Sequence, residues 1–130
     1  MKAMFKNAWG YQGDAMDLPV GDIDASIPFY TGIMGFEVVS RVDTAPRSVV
    51  LARPDVQMGL AENGGDPTQD GCAFQVDDVE AVFAEFRSNG LEKEISDFNI
   101  EKRDDGSRWK VFFVVAPDGL CFWLGEKLSP

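Results

Sequence analysis

The chemistry open to this chain is set first by a side chain it lacks. None of its 130 residues is a histidine, so the usual neutral-pH general base and the commonest transition-metal ligand are both missing. The two cysteines, Cys72 and Cys121, are too few for a disulfide framework and too far apart for a CxxC metal or redox motif. A nucleophilic role would also need a base or cation beside the thiol. Carboxylates, arginines, lysines and aromatic faces remain. Acidic side chains outnumber basic ones by 22 to 12, a formal charge of −10. Such a surface repels a phosphate backbone, so no nucleic-acid partner is expected, and it favours cationic ligands, although acidity also serves solubility alone.

A length of 130 residues with 45% hydrophobic content suits one compact domain spanning residues 1–130. Near the N-terminus no basic region joins an apolar run of leader length, and no stretch approaches the ~18 apolar residues of a membrane span. A soluble, cytoplasmic protein with no membrane partner is expected. The organising signal is an internal repeat: Leu18, Val20, Asp22, Ile23, Asp24, Ala25 and Tyr30 return 56 positions later as Phe74, Val76, Asp78, Val79, Glu80, Ala81 and Phe86.

Each copy reads as a short strand, an aspartate and a helix. Ile23, Ile27, Tyr30 and Met34 share one helical face, as do Val79, Val82, Phe83 and Phe86. Asp22 and Asp78 stand at N-cap positions, Gly35 and Gly90 suit the left-handed residue beyond a helix, and Pro28 predicts a kink within the first helix. Three strand-like runs follow each helix. They cover Phe36 to Asp43, Ser48 to Arg53 and Val56 to Ala61, then Leu91 to Glu101, Arg108 to Val115 and Leu120 to Gly125. Turn residues separate them, including Asp104-Asp105-Gly106 and Pro117-Asp118-Gly119. The pattern is βαβββ twice, an α+β fold with one module over about 15–62, a polar linker, and a second over about 71–126. Residues 1 to 14 show no clear period, and Phe5, Trp9 and Tyr11 give them bulk to dock on this sheet or on a neighbouring subunit.

The segment from Leu18-Pro19-Val20-Gly21-Asp22-Ile23-Asp24-Ala25 through Tyr30, with Gly35-Phe36, resembles the first module of the vicinal oxygen chelate superfamily. This group includes glyoxalase, bleomycin-binding proteins and extradiol dioxygenases. Phe74-Gln75-Val76-Asp77-Asp78-Val79-Glu80-Ala81 and Ala116-Pro117-Asp118-Gly119 resemble its second module. The resemblance implies a cupped mixed sheet with helices outside and a functional site in the concave face. Family enzymes hold a divalent metal there on four His, Glu or Gln side chains. Counted from the matched motifs, those positions are Ala15, Gly59, Gly71 and Trp123, none of which supplies a suitable lone pair. A slip of one residue does not help, because Met16, Cys72 and Phe122 would face the other way. The resemblance thus implies a metal-free member with no cofactor, and not a metal-dependent lyase or dioxygenase.

Alternation along the strands then puts Asp17, Gln57, Gln75, Cys121 and Trp123 in the cup, with Ala61 and Ala73, and keeps Cys72 outside it. A regular hairpin across Pro117-Asp118-Gly119 places Phe112 opposite Trp123; a bulge shifts this by one residue and admits Trp109 or Lys110. Arg41, Arg47, Arg53 and Lys110 are cations without a fixed place. Three readings follow: a non-enzymatic binder of a small aromatic or cationic molecule, resembling the bleomycin-binding members and dimeric by analogy; a metal-independent acid/base enzyme in which Asp17 or another pocket carboxylate moves a proton; and a protein-interaction module whose cup is filled by Trp123.

Overall fold

In the run Ser48-Val49-Val50-Leu51-Ala52-Arg53 the β-branched and apolar residues favour a strand, and in the computed structural model Val49, Leu51 and Arg53 are buried while their neighbours are half-exposed. The model describes residues 4–10, 14–91 and 98–129. Among these the elements are β1 (Phe5–Gly10), β2 (Leu18–Pro19), α1 (Ile23–Gly32), β3 (Glu37–Val42), β4 (Ser48–Arg53), β5 (Val56–Ala61), a 3-10 turn (Pro67–Gln69), β6 (Gly71–Val76), α2 (Val79–Ser88), β7 (Asn99–Lys102), β8 (Arg108–Val115) and β9 (Cys121–Ser129). No helix among them is long and apolar enough to cross a membrane.

The strands form two mixed sheets, ordered β2-β5-β4-β3 and β1-β6-β9-β8-β7. In each, the strand before the helix pairs in parallel with the last strand of its unit, β2 with β5 and β6 with β9, and the remaining neighbours are antiparallel. The repeat in the sequence is therefore a repeat of topology. One expectation needs correction. The aperiodic N-terminal residues include a strand, β1, which extends the second sheet beyond β6; an edge strand is held by main-chain hydrogen bonds and needs no alternating pattern. Of the strand expected over Leu91 to Glu101, β7 covers Asn99–Lys102, and residues 92–97 lie outside those described.

Both helices begin as their caps require. Asp22 accepts a hydrogen bond from the amide of Asp24 and Asp78 one from that of Ala81. A glutamate from the end of each unit adds a second cap: Glu62 accepts from the amide of Ile23 (3.1 Å) and Glu126 from that of Val79 (2.9 Å). Arg47 binds Glu62 and Asp24 at 2.7 Å each, and Arg41 binds Asp24 at 2.5 Å. These guanidinium groups hold the Asp24 and Glu62 carboxyls below the usual carboxylate range. Gly35 and Gly90 have φ of +76° and +111° beyond the helix ends, and α1 runs through Pro28.

The two units are joined by one core. Phe5, Phe36, Phe74, Phe122 and Tyr30 are all buried and meet at ring-centroid separations of 5.2–6.0 Å. Tyr30 on α1 donates to Asp118 in the turn between β8 and β9 (2.7 Å); burial and that carboxylate hold its phenol protonated far above its ordinary range. Arg53, at the end of β4, forms a bidentate pair with Glu85 on α2 (2.8 and 3.1 Å), donates to the carbonyl of Met34 and lies 4.2 Å from the ring centre of Phe5. The side chains are only 4% and 11% exposed. Glu85→Ala should therefore cost about 3–5 kcal/mol in urea unfolding, because it strands a buried cation, whereas Arg53→Met with Glu85→Leu should recover much of that loss.

Candidate functional site

Along β9, Phe122 and Leu124 enter the shared core, so Cys121, Trp123 and Gly125 lie on the opposite, open face of the five-stranded sheet. Trp123 pairs with Ala73 on β6 and Phe113 on β8, and Ala73 pairs with Trp9 on β1. The indole of Trp123 lies back over Gly125, where a Cβ would come within 2.3 Å of its Cη2 atom. Glycine at 125 is what lets this large ring lie along the sheet.

All three tryptophans of the chain meet here. Trp9 and Trp109 have ring centroids 5.7 and 5.5 Å from that of Trp123. Trp123 Nε1 donates to both carboxylate oxygens of Glu101 at 3.3 Å, and the Arg103 guanidinium sits 5.0 Å from its ring centre. Under these groups Trp123 is only 5% exposed, while Trp9 and Phe113 keep 37% and 38% of their surface. A hollow of about 400 Å³ beside the cluster is lined by Trp9, Gly10, Ala73, Glu101, Arg103, Phe113 and Trp123.

The expected site residues divide between the two sheets. Gln75, half-buried, Cys121, half-buried, and Trp123 share the open face described above. Asp17 is exposed ahead of β2, with its carboxylate accepting from Asn63 Nδ2 at 3.3 Å, and Gln57 is exposed on β5. Neither lines the hollow beside Trp123. Phe112 is misplaced by the regular-hairpin count: Phe113 pairs with Trp123, whereas Phe112 pairs with Leu124 and is fully buried against Phe83 and Phe86 of α2. The register is set by the turn from Ala116 to Leu120, in which Ala116 N donates to the Leu120 carbonyl and Gly119 N to the Ala116 carbonyl. Trp9, Glu101, Arg103 and Phe113 were not assigned from sequence. The available signals are Trp9, expected to dock on this sheet or on a neighbouring subunit, and Trp109, the residue admitted by a shifted hairpin.

The other cations are committed elsewhere: Arg41 and Arg47 at the start of α1, Arg53 in the core, and Lys110 on Glu80. Cys72 is buried, which pushes its thiol up to about 12, and both cysteines are free.

The residues present do not fit the family metal. Ala15 and Gly59 are hydrogen-bonded neighbours, with the Gly59 amide donating to the Ala15 carbonyl at 2.9 Å. A Cβ on Gly59 would lie 2.1 Å from the Met16 carbonyl oxygen, so main chain stands where a ligand side chain would start. Gly71 and Trp123 lie on adjacent strands of the other sheet, and the indole offers no donor to a cation. No group of three or more His, Cys, Asp or Glu among the described residues is arranged to hold a metal ion.

Residues 13–120 match the model of the glyoxalase/bleomycin resistance protein/dioxygenase superfamily. Among solved structures, a bleomycin resistance determinant encoded on the transposon Tn5 superposes with a TM-score of 0.65 at 23% identity, over 92% of this chain and 100% of that one. Virulence protein STM3117 from Salmonella typhimurium gives 0.65 at 19%, over 91% and 98%. A lactoylglutathione lyase from Agrobacterium tumefaciens gives 0.58 at 21%, over 85% and 91%. At such identities the likeness is one of fold. No curated protein matches the chain by sequence.

Two outcomes are expected. Gly125→Ala should lift the Trp123 indole off the strand, costing about 1–3 kcal/mol in urea unfolding and shifting tryptophan emission to the red. Calorimetric titration with zinc, nickel or manganese should show no stoichiometric binding; a one-to-one isotherm would overturn the misfit of the donor set.

Proposed function

The chain belongs to the glyoxalase/bleomycin resistance protein/dioxygenase superfamily, and from that premise we propose that it binds a small aromatic or cationic organic molecule on the tryptophan-lined face, without metal chemistry. The fold does not choose the chemistry, since similar structures include a bleomycin resistance determinant and a lactoylglutathione lyase. The residues do. The observation that carries the reading is the cluster of Trp9, Trp109 and Trp123 beside an open hollow of about 400 Å³, built around the fourth family metal position. Aromatic walls with a few polar groups, here Glu101 and Arg103, are the usual make-up of a small-molecule site. Gln75 and Cys121 lie on the same face and are assigned to its margin.

An acid/base role for Asp17 is less well supported, because that carboxylate is exposed and lies apart from the hollow. The filled-cup reading draws on the near-complete burial of Trp123, but the exposed surfaces of Trp9 and Phe113 leave a ligand something to stack on. The protein is further proposed to act as a homodimer. The edge strand β3 presents Val38, Val39 and Val42, and β8 presents Val115, all at least 44% exposed, which suits burial against a second copy. Sedimentation velocity should give a dimer mass; a monomer at micromolar concentration would remove that part of the proposal.

Binding is tested by tryptophan fluorescence titrated with a panel of aromatic and cationic natural products. Saturable quenching by at least one compound is expected, weakened about tenfold in Trp9→Ala and lost in Trp123→Ala, with circular dichroism confirming that both variants fold. Silence toward the whole panel would favour the protein-interaction module instead.

A further inference from the structure

The Trp123 ring already carries a cation, and it belongs to the protein. Arg103 lies 5.0 Å from the ring centre, inside the ~6 Å range in which an indole face attracts positive charge. Its hold is loose. The Arg103 side chain is 45% exposed and its ion pair with Glu101 is 4.0 Å long, whereas Arg47 and Arg53 reach their carboxylates at 2.7 and 2.8 Å. The main chain beneath it is fixed. Arg103 N donates to the Ser107 carbonyl and Gly106 N to the Arg103 carbonyl, so only the side chain is free to leave.

Around that position stand three indoles, and the charged groups lining the two adjoining hollows are Arg103 against Glu101, Asp104 and Asp105. With Arg103 swung away, the walls are aromatic and the nearby charge is negative apart from Lys127, which faces Asp105, on a chain whose formal charge is −10. This is the chemistry of a cage for an organic cation, in which a poorly hydrated ammonium head gains most from indole faces. An anionic ligand would meet three carboxylates against two cations, Arg103 and Lys127.

We propose that Arg103 is a built-in competitor: its guanidinium occupies the Trp123 face that the quaternary ammonium head of a ligand takes by displacing it. The inference rests on the reading of this face as the ligand site, and adds the ligand class and the residue that sets its affinity. Arg103 therefore lowers the affinity of any ligand that takes this face, through its displacement, and lowers that of a cation further, through like-charge repulsion.

The test compares choline with its uncharged isostere 3,3-dimethylbutan-1-ol, each titrated into wild type, Arg103→Ala and Arg103→Lys while tryptophan fluorescence is followed. Arg103→Ala is expected to bind choline about three- to tenfold more tightly, with a gain of no more than about twofold for the isostere and Arg103→Lys close to wild type. Weaker choline binding in Arg103→Ala, or an equal change for both probes, would overturn the proposal. If aromatic compounds of the wider panel bind wild type but choline binds no variant, the competitor inference fails and the pocket reading stands. Silence from every compound in every protein removes the pocket reading and this inference with it.

Discussion

Neither βαβββ unit can bury its own sheet, and the rest of the structure depends on that shortfall. A helix is about 10–12 Å across, while the axes of four strands side by side spread over about 14 Å and their side chains reach further still. One helix leaves part of each sheet's apolar face uncovered, and the remaining cover comes from the other unit. Tyr30 of α1 packs on Phe122 of β9, Phe36 meets Phe74, and Arg53 of the first sheet reaches Glu85 of α2. The polar contacts across this joint, Arg53 with Glu85 and Tyr30 with Asp118, are specific in geometry, so they set the relative position of two surfaces that apolar burial alone would leave free to slide.

The repeat extends from topology to individual bonds. Glu62 and Glu126 cap the two helices in the same way, and the acidic residue in each first turn, Asp24 or Glu80, is held by a cation from its own sheet, Arg47 or Lys110. The units diverge on their open faces. In the first, Gly59 makes room for the main-chain carbonyl of Met16; in the second, Gly125 makes room for the ring of Trp123. Both glycines allow close approach, yet one closes a surface with backbone and the other builds an aromatic platform. That asymmetry places the candidate site on the five-stranded sheet.

β1 completes this platform. It joins the edge of the second sheet and delivers Trp9 beside Ala73, whose small side chain lets the indoles of Trp9 and Trp123 approach each other. On the far side, β7 brings Glu101, and the residue just after the strand, Arg103, over the same ring. The cluster thus draws on an N-terminal strand, the hairpin of β8 and β9, and a short edge strand, three parts of the chain that share no local pattern.

Much was legible in the residues alone. The repeat at 56 positions, the capping aspartates and the turn residues between the strand-like runs specified the α+β class and most strand bounds, because caps and turns are local effects. The absence of histidine and the identities of Ala15, Gly59, Gly71 and Trp123 are likewise readable from the sequence, and they carry the expectation of a metal-free member. Register was not legible. Whether Phe112 or Phe113 faces Trp123 turns on the hydrogen bonds of a single turn, and one residue of slip exchanges core for open face. Nor could sequence bring Trp9, Trp109 and Trp123 together, or separate Asp17 and Gln57 from the hollow beside them. Those outcomes depend on which strands become neighbours, and only burial of the shared core decides that.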